Sequence, residues 1–165
     1  MDPFWSHVLE ELIANLILAV GLIFINEIII PKRNISGEWG VDLTYENTSY
    51  ERYKGIKIQY KINLLQQNNS ITGHGEKVSD IDAERGFYEF ERSKRVHIEI
   101  SGYYERNFIR KSIVYLHITE QGRSRDTSQS FVLFFDSKNK LSGKFTTTAA
   151  DASGPITIVK NDLNL

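Results

Sequence analysis

The chain has 165 residues, 41% apolar and 25% charged, with a formal net charge of −1 and no cysteine. The missing cysteines exclude disulfides, thiol catalysis and cysteine-ligated zinc or iron, and fit a reducing compartment. All 20 Lys and Arg follow position 31, against 17 of the 21 Asp and Glu. That mildly basic surplus is too weak for duplex nucleic acid, yet compatible with an anionic small ligand or lipid headgroups.

Leu12 to Ile30 (LIANLILAVGLIFINEIII) carries no Lys or Arg and is close to the roughly 20 residues that cross a bilayer as a helix. Acidic residues precede it (Asp2, Glu10, Glu11) and no small-residue cleavage site follows, so it reads as a retained anchor rather than a signal peptide. Lys32 and Arg33 follow directly, so the positive-inside rule places everything after them in the cytoplasm. The organisation expected is an anchor over 1–33, single-pass, and one domain over 34–165. Glu11, Asn15 and Asn26 fall on one helical stripe, with Glu27 about a turn from the interface. Polar groups in hydrocarbon seek each other, and interhelical hydrogen bonds worth roughly 0.6–2 kcal/mol each favour helix association.

Beyond the anchor, period-2 alternation recurs. It predicts strands over Glu38 to Tyr45, Ile56 to Leu64, Ser70 to Val78, Arg95 to Tyr103, Lys111 to Glu120, Ser128 to Asp136, Lys140 to Ala149 and Gly154 to Lys160. Eight locally connected strands with no helical period between them predict an antiparallel up-and-down barrel, all-β and lipocalin- or avidin-like, because closure removes sheet edges. Gly73, Gly75, Gly102 and Gly143 sit inside strands, where tight coiling accounts for them. Two strands break the alternation: Ile113 to Thr119, and Phe131 to Phe135 (FVLFF), which has no polar face. An apolar outer strip there, including Phe131 and Phe134, would meet another subunit or the bilayer.

The longer connections, Glu46 to Arg52, Ser79 to Lys94, Gln121 to Thr127 and Ala150 to Ser153, gather at the end away from the membrane and make it the candidate ligand mouth. That rim collects Arg85, Arg92, Arg123 and Arg125, with Tyr50, Tyr53, Phe87 and Tyr88 near them in sequence. Guanidinium forks match phosphate oxygens and aromatic faces stack on purines, a combination suited to a nucleotide. Tyr45 and Tyr60, inside the barrel, are the alternative site. His74, His97 and His117 fall in three different strands, no metal-binding, P-loop or nucleophile motif is present, and neither catalysis, a metal nor a cofactor is expected.

An N-terminal anchor, a GEW opening at Gly37 to Trp39 and eight short strands carrying LLQQNN, ITGHG, ISGYY and LSGKF resemble the membrane-anchored β-barrel effectors of bacterial CBASS anti-phage systems. The resemblance implies a receptor for a cyclic dinucleotide made by a partner nucleotidyltransferase. It also implies homo-oligomerisation on binding and disruption of the inner membrane, killing the infected cell; DNA is not a partner. The relatives compared carry two transmembrane helices where this chain shows one. The alternative is a membrane-tethered lipocalin-like binder of an apolar or lipid ligand, and a third reading is an assembly protein with a filled barrel.

Overall fold

The computed structural model of the chain describes residues 3–29, 33–82, 86–91, 95–107, 110–121 and 126–161. It contains two compact units, residues 1–33 and 34–165. The first is a single helix, α1 (Pro3–Ile29). Its apolar side chains are exposed all round the axis, Leu12, Leu16, Leu18, Ile23 and Phe24 each by more than half. Among the described residues this is one helix long and apolar enough, by length and composition, to cross a membrane. Asn15 lies exposed upon it; the side chains of Asn26 and Glu27 lie outside the described residues.

The second unit is built from β1 (Gly37–Thr44), β2 (Lys57–Gln67), β3 (Ser70–Asp82), β4 (Gly86–Glu89), β5 (His97–Glu105), β6 (Ile113–Glu120), β7 (Thr127–Ser137), β8 (Lys140–Thr147) and β9 (Ala152–Lys160). Each pairs antiparallel with its neighbours, β1 pairs with β9, and eight strands close into a barrel. The strand absent from the sequence reading is β4. All four of its residues are exposed, so no apolar alternation marks it. It lies against the upper half of β3, taking over at Ser79 after the β3 ladder with β5 stops at Glu76.

Alternation decides the interior. Trp39, Val41 and Leu43 from β1, then Ile58, Tyr60, Ile62 and Leu64 from β2, face inward and are almost fully buried. In β7 the same parity sends Phe131, Leu133 and Phe135 into the core and turns Val132 and Phe134 outward. Phe131 therefore does not belong to the outer strip. A run with apolar residues on both faces carries no parity mark of its own, and the ladder assigns it: Leu133 sits opposite inward Val114, and Val132 opposite Tyr115. Tyr103 and Tyr115 stack outside, 4.6 Å between ring centroids, beside Val132. Phe134 and Ile113 are paired next to them, so an outer apolar strip does run across β5, β6 and β7.

One end of the barrel is sealed. Ile35 is wholly buried there, its carbonyl accepting a 2.7 Å hydrogen bond from the Trp39 indole and its amide donating to Gln66 Oε1 at 3.0 Å. Tyr104 and Phe135 meet edge to face in the same core. The other end is open and bordered by the β8–β9 connection, where Ala150 and Asp151 hold φ of 57° and 47°. Ala150 stays in this left-handed conformation because Thr48 Oγ1 and the Ser49 amide donate to its carbonyl, at 2.9 and 3.2 Å. Glycine carries no Cβ to strain in that region, where an ordinary residue gives up about 1–2 kcal/mol. Ala150→Gly is expected to raise unfolding stability by up to about 1 kcal/mol, read as a higher urea midpoint; a lower midpoint would contradict this.

Candidate functional site

The open end holds a cavity of about 400 Å³ lined by Tyr45, Tyr50, Arg52, Tyr53, Ile56, Ile58, Lys77, Asp80, Ala149 and Ala150. This is within the usual range for small-molecule sites. Its walls are made by strand ends, and its rim by the β1–β2 and β8–β9 connections. A short 3-10 turn, Glu51–Tyr53, sets Tyr50 and Tyr53 edge to face at 6.3 Å between centroids. The Arg52 guanidinium carbon lies 4.6 Å from the centre of the Tyr53 ring, and Nη2 donates to the Tyr53 hydroxyl at 2.7 Å. A guanidinium held against an aromatic face keeps its outer N–H groups available to an anion.

Lys77 and Asp80 enter by a device the alternating pattern does not show. Tyr60 is paired with Lys77, but Gln59 is already paired with Ser79, so Val78 is an extra residue and β3 bulges. A bulge re-aims side chains, and here the partners of Lys77 and Asp80 are the inward residues Tyr60 and Ile58. The two charges meet at 2.9 Å. The Phe90 ring lies 5.5 Å from Lys77 Nζ, and Tyr88, ladder partner of Asp80, meets Phe90 edge to face.

One inward position further along β2 than Ile58, a polar bridge spans the lumen. Tyr60 donates to Glu120 Oε2 at 3.1 Å, and Gln129 Nε2 reaches the Tyr60 hydroxyl at 2.7 Å and Glu120 Oε2 at 3.3 Å. In the ring of strands β2 and β7 are diametrically opposite, four places apart either way, so Tyr60 and Gln129 tie facing walls together. Burial, and then the Glu120 charge, push the Tyr60 hydroxyl well above its ordinary value. Tyr45 is raised too, by burial first and then by Glu120 and Asp80. Both phenols are thus held neutral in the folded state, while the unfolded chain ionises them near pH 10. Above that pH the unfolded state binds fewer protons, so stability is intact below about pH 10 and falls as pH rises further. Urea midpoints at pH 8 and pH 11 are expected to show the loss, with Tyr60→Phe reducing the pH dependence.

Of the sequence candidates, Tyr45, Tyr50 and Tyr53 line the cavity, Tyr60 forms the bridge, and Tyr88 is exposed on β4 as the ladder partner of Asp80. Arg85, Arg92, Arg123 and Arg125 lie outside the described residues. Arg52, Lys77, Asp80, Glu120 and Gln129 were missed. Three of them carried a signal: Arg52 lies between two candidate tyrosines, Glu120 continues the inward parity of Val114, Leu116 and Ile118, and Gln129 continues that of Phe131 and Leu133.

A closed eight-stranded antiparallel barrel, sealed at one end and open at the other over an aromatic and charged cavity, has the form of a ligand-binding barrel. Solved structures similar to it are redesigned β-barrels. One, b11L5F_LGL, matches with a TM-score of 0.54 at 12% identity, covering 78% of this chain and 92% of that one. Two others, mFAP1 and mFAP0, each bound to DFHBI, match with TM-scores of 0.53 at 11% and 12% identity. They cover 77% and 76% of this chain and 94% and 98% of theirs. At such identity the likeness shows the fold alone. No protein-family model matches the chain, and no curated protein is significantly similar to it.

Proposed function

We propose that this chain is a membrane-anchored receptor whose barrel mouth binds a cyclic dinucleotide, and that the liganded barrels assemble and disrupt a bacterial inner membrane as an anti-phage effector. The observation carrying the ligand class is the pairing of three tyrosine rings with two cations, Arg52 and Lys77, around one cavity. Stacking on an aromatic face is worth about 1–3 kcal/mol per base and is indifferent to base identity. Cations beside the rings supply the phosphate contacts. Rings and charges line the cavity, and binding is the role assigned to it. The exposed apolar girth of α1 needs lipid around it, with Glu11 and Asn15 as groups that neighbouring copies can bond. The outer strip of Tyr103, Tyr115, Ile113, Val132 and Phe134 offers the barrel its own contact surface.

The competing reading, an apolar or lipid ligand, would leave the Lys77–Asp80 pair and the Arg52 guanidinium facing hydrocarbon, which is costly. Calorimetry on the full chain in nanodiscs, with cyclic dinucleotides and fatty acids as titrants, tests the assignment. Micromolar or tighter binding of a cyclic dinucleotide is the expected result. Fatty-acid binding without nucleotide binding would overturn it in favour of the lipocalin-like reading.

A further inference from the structure

One buried side-chain oxygen on the inner wall of the open end, Gln129 Oε1, has no hydrogen-bond donor among the described residues, and Asp80 Oδ1, buried as well, is met by the Lys77 ammonium. Lys77 Nζ lies 2.9 Å from Asp80 Oδ1, a contact that leaves the second Asp80 oxygen to other donors. Gln129 is 2% exposed. Its amide orientation is fixed by chemistry, because Nε2 faces the Glu120 carboxylate at 3.3 Å and the reverse placement would set oxygen against carboxylate. Oε1 is therefore turned away from that contact. The hydrogen bonds Glu120 accepts from Tyr60 and Gln129 both fall on Oε2, leaving Oε1 engaged by neither.

Buried acceptors are seldom left without a donor, and each one so left costs about 1–3 kcal/mol. One such acceptor, Gln129 Oε1, together with the carboxylates of Glu120 and Asp80 at the open end of a barrel, marks a place where donors arrive with a ligand. The mouth is thus sorted by sign. Arg52 and Lys77 offer donors around the cavity, while Asp80 in its wall and Glu120 and Gln129 at the bridge below offer acceptors. A cyclic dinucleotide is built in the complementary sense: its phosphates only accept, and its donors are the base edges and the free ribose hydroxyls, of which only the base edges differ between the bases. Guanine presents two adjacent donors, N1–H and the 2-amino group, whereas adenine sets its single amino group beside an acceptor nitrogen.

We infer that the mouth selects guanine, taking the base edge inward against Asp80, Glu120 and Gln129 and leaving the phosphates to Arg52 and Lys77. This rests on the ligand class proposed above. It is tested with the full chain in nanodiscs, titrated calorimetrically with cyclic di-GMP, cyclic di-AMP and cyclic di-IMP, the last differing from cyclic di-GMP only in lacking the 2-amino groups. Cyclic di-GMP is expected to bind at least tenfold more tightly than either of the others. Asp80→Asn and, separately, Gln129→Leu are expected to narrow the gap between cyclic di-GMP and cyclic di-IMP to less than threefold. Equal affinity of the unaltered protein for all three would overturn the guanine assignment and leave the receptor reading standing, with water satisfying the acceptors. Binding of none of them would overturn both.

Discussion

Gly143→Ala is expected to prevent the barrel from closing as it does in the native protein. Gly143 in β8 is paired with Leu133 of β7 on one side and Ile156 of β9 on the other. A Cβ built there collides with the Val132 carbonyl oxygen, and the next nearest atoms are also β7 backbone, at 2.9 and 3.0 Å. A flexible side chain could swing aside; a ladder strand cannot move without releasing its own pairing. The strands here coil so tightly that only a residue without a side chain fits between them. The expected loss is on the order of 3–5 kcal/mol, the range reserved for backbone and packing faults that the structure cannot absorb. Urea unfolding followed by tryptophan fluorescence reads it directly, since Trp39 is wholly buried in the same core. An unchanged midpoint would mean that β7 and β8 can separate locally at no cost.

Removing both cations of the mouth is expected to have the second large effect. Arg52→Ala with Lys77→Met should lower cyclic dinucleotide affinity at least a hundredfold. Hydrogen bonds to charged groups contribute about 1.5–3 kcal/mol each, and every 1.4 kcal/mol is a factor of ten. Methionine keeps the length of the lysine stem against Phe90, so packing survives while the charge is lost. Lys77→Met also leaves Asp80 without its cation, so the urea midpoint of the double variant is measured beside its affinity. A folded double variant that binds as tightly as the unaltered protein would move phosphate recognition elsewhere on the chain.

Much of this architecture is legible in the sequence because a half-buried strand writes its orientation every second residue. Trp39, Val41, Leu43 and Tyr45 are inward as their spacing requires, as are Ile58, Tyr60, Ile62 and Leu64. The glycines read as coiling positions include Gly73, Gly75, Gly102 and Gly143, each with neighbouring backbone or side-chain atoms too close for a Cβ. Legibility ends where the period slips or where both faces are alike. One extra residue at Val78 turns Lys77 and Asp80 into the cavity, and nothing in KVSDID announces it. FVLFF gives no clue to which aromatic rings are core, and Phe131 turns out to be. The fully exposed Gly86–Glu89 strand exists by pairing alone, an interaction that backbone amides make whatever their side chains.

The tyrosine–glutamine bridge across the lumen has a mechanical side. A closed sheet resists stretching around its circumference but can flatten into an ellipse at little cost, since flattening changes strand angles more than hydrogen bonds. Tyr60 and Gln129, joined at 2.7 Å from diametrically opposite strands, act as a strut that sets one diameter of that ellipse. The wall opposite Tyr60 is β7, whose outward side chains Val132 and Phe134 belong to the apolar strip. The width of the barrel between β2 and β7 and the curvature of its outer face are therefore two readings of the same cross-section.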